Sequence, residues 1–271
     1  MKYTVLTLFP EITNAYFANS IMAKALERSI IEYQVINIRD YTLDRHHTCD
    51  DAPYGGGPGM LMLAEPLGRA LEAAGAVKRN IIDDDTCAAD TARRVIYLSA
   101  SGRPFNQAMA RELAAEKELI LVCGRYEGID QRIIDAYVDD EISVGDYVLS
   151  SGEVAALALI DATYRLVDQV ITAASLEEES FDHFLLEYPQ YTRPEIYGIL
   201  KVPEVLLSGH HENIRRWRLE KRVEKTLAVR PDLIQNGLFD DETRKIIEQK
   251  RLGACKTDDQ TRGRDERDKG N

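Results

Sequence analysis

The chain has 271 residues, with 34 Lys and Arg against 46 Asp and Glu, a formal net charge of −12 and 44% hydrophobic residues. That length houses one large domain or two modest ones, and the composition excludes the disordered and fibrous classes. Taken as a whole-chain average, the acidity argues against a nucleic-acid partner, because phosphate binding is driven by Lys and Arg.

The first run, Tyr3–Phe9, reads as a strand ended by Pro10 and lacks the length and cleavage site of a signal peptide. A helical pattern leads to a second strand at Tyr33–Ile38. Residues 46–60 hold too much Gly and Pro for a regular element, and residues 77–92, with three consecutive aspartates, read as an exposed insertion. Short apolar runs at Val95–Leu98, Leu119–Cys123 and Glu141–Val144 alternate with helical composition around Gln107–Ala115 and Gly128–Tyr137. Strands alternating with helices predict an α/β layer on a mostly parallel sheet. Ser151 reads as the cap of an apolar helix through Tyr164. The longest unbroken apolar stretch, Val154–Ile160, is far short of the roughly 20 residues of a membrane span. Beyond Asp168 the pattern is helical, with Ser208–Arg230 as one long basic helix and a polar tail, expected to be disordered, from about Lys256. Cys49, Cys87, Cys123 and Cys255 form no Cys-x-x-Cys pair, so free thiols in a reducing cytoplasm are expected.

The charge is unevenly spread. From Glu127 to Glu187 there are fifteen acidic residues against Arg132 and Arg165, a local balance of −13 that leaves +1 for the rest. From Ile214 to Arg230 seven basic residues face two glutamates, a balance of +5. A basic helix is therefore available for phosphates.

Four Gly-containing constellations stand out: Tyr54-Gly-Gly-Gly-Pro-Gly-Met60, Tyr97–Arg103, Cys123-Gly-Arg-Tyr-Glu-Gly-Ile-Asp130 and Ile142–Glu153. The first lacks the Lys-Ser/Thr of a P-loop and the spacing of a dinucleotide fingerprint. The other three leave strands, where ligands bind in parallel sheets, and could together wrap a small organic ligand. Singly, each reads as a turn or a cap.

Asp50-Asp-x-Pro-Tyr-Gly-Gly-Gly-Pro-Gly-Met60, Cys123–Asp130, Gly145-Asp-Tyr-Val-Leu149, Leu185-Leu-Glu-Tyr-Pro-x-Tyr-Thr-Arg-Pro194 and Ile214-Arg-Arg-Trp-Arg218 occur in that order. Together they resemble the bacterial TrmD family of tRNA (guanine-N1)-methyltransferases, from the first strand to about residue 235. The resemblance implies the SPOUT fold, a parallel sheet with a deep trefoil knot, followed by a small all-helical domain. Knots are rare, and periodicity could not have shown one. On this reading residues 1–170 form the catalytic domain, 171–187 a linker, 188–255 a helical tRNA-binding domain and 256–271 the tail. A homodimer with shared active sites is also implied.

The resemblance assigns S-adenosylmethionine to Tyr97, Leu98, Ser99, Gly124, Tyr126, Glu127, Val144, Gly145, Asp146, Tyr147, Val148, Leu149 and Gly152. It implies methylation of N1 of guanosine 37 when guanosine precedes it. That nitrogen must lose a proton, which requires a general base, and a cation would stabilise charge on O6. Arg165 matches the family's Arg. Glu179 stands where the family usually has Asp, and Asp182 is its nearest competitor. Asp50 can accept from the pairing edge of guanine, while Gly59, Arg125, Ser208, Arg215 and Arg216 are the other expected tRNA contacts. Trp217 is expected to pack in the helical core. Ala52, Ala100, Ser151 and His210 depart from the family pattern without removing a reacting group. A divalent cation, usually magnesium, is implied too, but the sequence offers no recognisable ligand set. The competing readings are an RNA-binding module without transfer activity and a phosphate-binding enzyme built on the triple-glycine loop. The second fails for want of a Lys or metal-binding Ser/Thr beside that loop.

Overall fold

Strand β1 (Lys2–Thr7) is buried from Tyr3 onward and β6 (Glu118–Cys123) along its whole length, as expected of strands covered on both faces. A computed structural model describes residues 1–18, 20–79, 93–171 and 179–252. The chain divides into two compact units, Met1–Thr172 and Ala173–Asn271. The first unit is built on a five-stranded sheet of order β2-β1-β6-β5-β7, in which every pair is parallel. Here β2 is Glu32–Asn37, β5 is Arg93–Pro104 and β7 is Asp140–Ser143. The short β3 (Asp50–Asp51) and β4 (Leu61–Met62) pair antiparallel at the two ends of the Gly-rich loop. This is the α/β parallel-sheet class expected from the alternation of apolar runs.

The alternation of side chains along each strand makes two cores. Ile120 and Val122 join Leu6, Val95 and Tyr97 beneath helices α3 (Ala64–Ala73) and α5 (Gln131–Tyr137). Leu119, Leu121 and Cys123 join Val5, Ile96 and Leu98 on the other face. There they meet α1 (Pro10–Phe17), α2 (Ser20–Glu27), α4 (Gln107–Ala114) and α6 (Gly152–Tyr164).

Element boundaries differ from the sequence expectations for local reasons. β1 stops at Thr7 because Phe9 is the cap residue of α1, with Pro10 in its first turn. β5 runs on to Pro104, where a loop was expected at Ser99–Arg103. Its pairing with β7 jumps register between Leu98 and Arg103. Gly102 makes this possible, since a Cβ there would lie 2.5 Å from the backbone of Glu141 and Ile142. Ser151 does stand at the cap position of α6, with extended backbone, but its side chain makes no capping bond.

In the second unit α7 (Glu204–Leu207) ends at Ser208, and the long helix α8 covers His211–Val229 rather than starting at Ser208. Helix α9 (Pro231–Asn236) and a helix over residues 241–252, α10, complete it, with a small hairpin of β8 (Ile196–Tyr197) and β9 (Leu200–Lys201). Leu185, Val223, Ile234, Ile246 and Ile247 form its core. The expected linker is therefore partly structural. Leu185 is core, Leu186 N donates to Thr226 Oγ1 at 2.9 Å, and buried Arg222 donates to Leu186 O at 3.3 Å. Trp217 is half-buried beside Tyr191 and is not among the core residues, because the inward stripe of α8 runs through Leu219, Val223 and Thr226. The core of the 77–92 insertion, the acidic residues 177–178 and the tail lie outside the described residues.

Glu118, at the start of β6, gathers Lys2 and Arg93 from the two flanking strands, each at 2.8 Å, and accepts from Thr4 Oγ1 at 2.8 Å. Burial works to raise its carboxyl, but these partners outweigh it and hold the group below its ordinary range. A carboxyl lowered by folding stabilises fully above its unfolded value, about 4.3, and the contribution fades as pH falls through the folded value. Glu118→Gln should therefore cost roughly 1–3 kcal/mol at neutral pH and flatten the acid limb of stability against pH, measured by urea denaturation.

Candidate functional site

Three segments leave the same end of the sheet and enclose a cavity of about 310 Å³. They are Tyr97–Ser101 in β5, Gly124–Gly128 after β6, and the stretch from Ile142 at the end of β7 to Gly152 and Ala155 in α6. All the residues assigned to the cofactor line it except Asp146, which is exposed outside it. Arg125 also lines it, as do Ala100, Ser101, Gly128, Ser143, Ser150 and Ser151. These additions all fall within the three Gly-containing constellations at the strand exits, Tyr97–Arg103, Cys123–Asp130 and Ile142–Glu153. A larger cavity of about 880 Å³ lies among residues 41–48, α3 and α5. The strand exits do not open into it, and its Arg69 and Arg132 are already paired with Glu65 and Asp130.

Glycine shapes the smaller cavity. Gly152 N donates to Gly124 O at 2.8 Å, and a Cβ on Gly152 would stand 2.7 Å from Gly124 N and 2.8 Å from the Cys123 Cα. Helix α6 thus starts in contact with the end of β6. A Cβ on Gly124 would meet the Tyr97 ring at 2.9 Å. Tyr126 holds φ +57°, an uncommon conformation for a non-glycine residue and one that clusters at functional sites.

The Gly-rich loop joins this turn. Glu127 N donates to Met60 O at 3.0 Å, Met62 N to Gly128 O at 3.0 Å, and Gly59 (φ +89°) lies directly against the Glu127 side chain. Burial first, then the neighbouring Asp50 carboxylate, push the Tyr126 phenol up, with Arg39 opposing. So Asp50 and Gly59 stand beside the cavity although they lie far from it in sequence. The Tyr97 phenol is raised by burial and then by Glu141. Arg125 spans the rim, with its guanidinium 4.4 Å over the Phe9 ring and Nη1 donating to Ser150 O at 3.1 Å.

Other assigned residues lie elsewhere. Arg165 caps the far end of α6, and that helix of 13 residues rises about 20 Å from Gly152. Glu179, Ser208, Arg215 and Arg216 belong to the second unit. Glu179 is half-buried just before a strained turn, in which Phe181, His183 and Phe184 all have positive φ. Ser208 Oγ donates to Val205 O and accepts from His210 N. The basic helix is less free than its count implies: Arg215 is paired with Glu212 at 2.7 Å and Glu242 at 2.8 Å, and Arg216 with Glu220 at 3.1 Å. Such exposed pairs are worth about 0–1 kcal/mol and can be exchanged for phosphates. Among the described residues no group of three His, Cys, Asp or Glu could hold a metal ion, and no helix is long and apolar enough to cross a membrane. Cys49 and Cys123 are free and buried.

Gly152→Ala should destabilise the first unit by roughly 1–3 kcal/mol, since backbone on both sides must move, as read by thermal or urea unfolding.

The family model described as "tRNA (Guanine-1)-methyltransferase TrmD" matches residues 1–236. A tRNA (guanine-N(1)-)-methyltransferase of Treponema denticola is 58% identical over 253 residues, covering 92% of this chain and 98% of the relative. That of Treponema pallidum is 56% identical over 86% of this chain and 88% of its own. That of Borreliella burgdorferi is 53% identical, over 86% and 92%. The chain therefore belongs to the TrmD family of tRNA (guanine-N1)-methyltransferases.

Proposed function

We propose that this enzyme uses S-adenosylmethionine to methylate N1 of guanosine 37 in tRNAs that carry guanosine at position 36. We further propose that it acts in the cytoplasm as a homodimer, with the 144–152 segment threaded as a trefoil knot. The observation that carries the reading is the cavity at the three strand exits, lined by nearly every residue assigned to the methyl donor. Gly124 and Gly152 let the strand exits close on one another with backbone in the cavity wall, suited to adenine and ribose, while Glu127 suits the cofactor's positive groups. Bound there, S-adenosylmethionine supplies an electrophilic methyl group.

The protein's own residues handle the proton and the charge. Asp50, beside Tyr126, accepts from the amino group on the guanine's pairing edge. Glu179 takes the N1 proton onto its carboxylate as the ring nitrogen becomes nucleophilic. Arg165 offsets the negative charge that gathers on O6. A helix length separates Arg165 from the cavity of its own chain, which supports a site completed by a second copy. The exposed apolar rim of Tyr147 and Val148, 56% and 87% accessible, supports the same arrangement. Ser208, Arg215 and Arg216 engage the tRNA, the two arginines exchanging glutamate partners for phosphates. No residue is assigned to magnesium, for which the described residues offer no ligand cluster.

Labelled S-adenosylmethionine and transcripts varied at positions 36 and 37 test the reading. Transfer is expected only to the pair of guanosines; binding of tRNA without transfer would show an inactive RNA-binding module instead. Glu179→Gln should lower single-turnover transfer by about 10²–10⁴-fold with tRNA affinity nearly intact. Retention of near wild-type transfer would move the role of base to Asp182 or elsewhere.

A further inference from the structure

Thr7 and Glu153 form a buried pair that none of the roles above uses. Thr7 ends β1 and is fully buried; Glu153 sits in the first turn of α6 and is 1% exposed. Thr7 Oγ1 donates to Glu153 Oε1 at 2.6 Å and accepts from Phe9 N at 2.9 Å. Glu153 Oε2 is buried and has no hydrogen-bond partner among the described residues. Burying a carboxylate in this way is unfavourable, and the positive end of α6 offsets only part of that. Replacing a buried polar pair by apolar residues is often neutral or stabilising, so stability alone does not account for a carboxylate here.

Its position does. Glu153 directly follows Gly152, which presses on Gly124 with no room for a side chain. A small displacement of the first turn of α6 would therefore drive backbone into backbone and reshape two of the three cavity walls. The same β1 exit supports a second strut, since Arg125 lies over Phe9 while bonding Ser150 O.

We propose that Glu153 is a positioning residue for the methyl-donor cavity. Through Thr7 it fastens the start of α6 to the end of β1, and so holds the 144–152 loop and the Gly124 turn in the shape that receives the ligand. The proposal rests on the reading of that cavity as the S-adenosylmethionine site.

Hydrogen–deuterium exchange on the ligand-free, full-length protein reads the fastening directly, and donor and tRNA KM values read its consequence. Thr7→Val should raise exchange across residues 144–152 and the donor KM, each about tenfold, with the tRNA KM within twofold of wild type. Thr7→Ser, which keeps the hydroxyl, should restore both. If Thr7→Val does not fold, Glu153→Met, which keeps the length of the side chain but has no oxygen to accept from Thr7, carries the same measurements. Unchanged exchange at 144–152, or a lowered melting temperature with both KM values unchanged, would overturn the inference. Failure of the wild-type protein to bind S-adenosylmethionine would sink the cofactor reading, and the exchange experiment would then decide the fastening by itself.

Discussion

The contact on which the rest of the first unit depends is the approach of helix α6 to the end of β6. It needs a residue without a side chain at Gly152, which meets Gly124 across the whole of α5 and β7, and Gly124 in turn leaves room for the Tyr97 ring. With them in contact, the loop leaving β7 must double back beside the turn leaving β6, and a walled cavity results. A Cβ on Gly152 would stand against the Cys123–Gly124 backbone and separate the two segments, while one on Gly124 would displace the Tyr97 ring from the cavity wall. Backbone in a polar cavity wall also leaves N–H and C=O groups available to a ligand, which is how a site with few charged side chains can be selective.

Charge is organised in the same local way. At the other end of the sheet, Glu118 is neutralised by Lys2 and Arg93, so the strand starts are tied by ion pairs while the strand ends are left for chemistry. Arg94 and Arg103 do the same for buried Asp140 at the start of β7. In the second unit Arg215, Arg216 and Lys221 of α8 already face glutamates. A net charge therefore says little about partners. The −12 of the chain averages the acidic stretch 127–187 with a helix whose own cations are partly answered within its unit.

Much of the site could be read from the residues. Runs such as Leu119–Cys123 are too short and too apolar for anything but buried strands, and the Gly-containing turns after them point to strand-end ligand binding. Five motifs in order carried the family and, through it, the cavity-lining residues. What could not be read were relations across long sequence separations. Thr7 and Glu153 are 146 residues apart, and neither stands in a recognisable pattern. The same holds for the register jump in β5, which depends on the closeness of Gly102 to β7, and for Leu185, whose place in the helical core depends on α8.

By itself, then, the sequence determined the class of sheet, the family and the residue types available for proton transfer and methyl-donor binding. These follow from local pattern and from motifs that are contiguous in the chain. The tertiary structure decided which of those residues share a cavity, that Arg165 stands a helix length away from the cavity of its own chain, and which cations of α8 are already paired. Those are distances between elements, set by packing and by glycine contacts, and no local pattern encodes them.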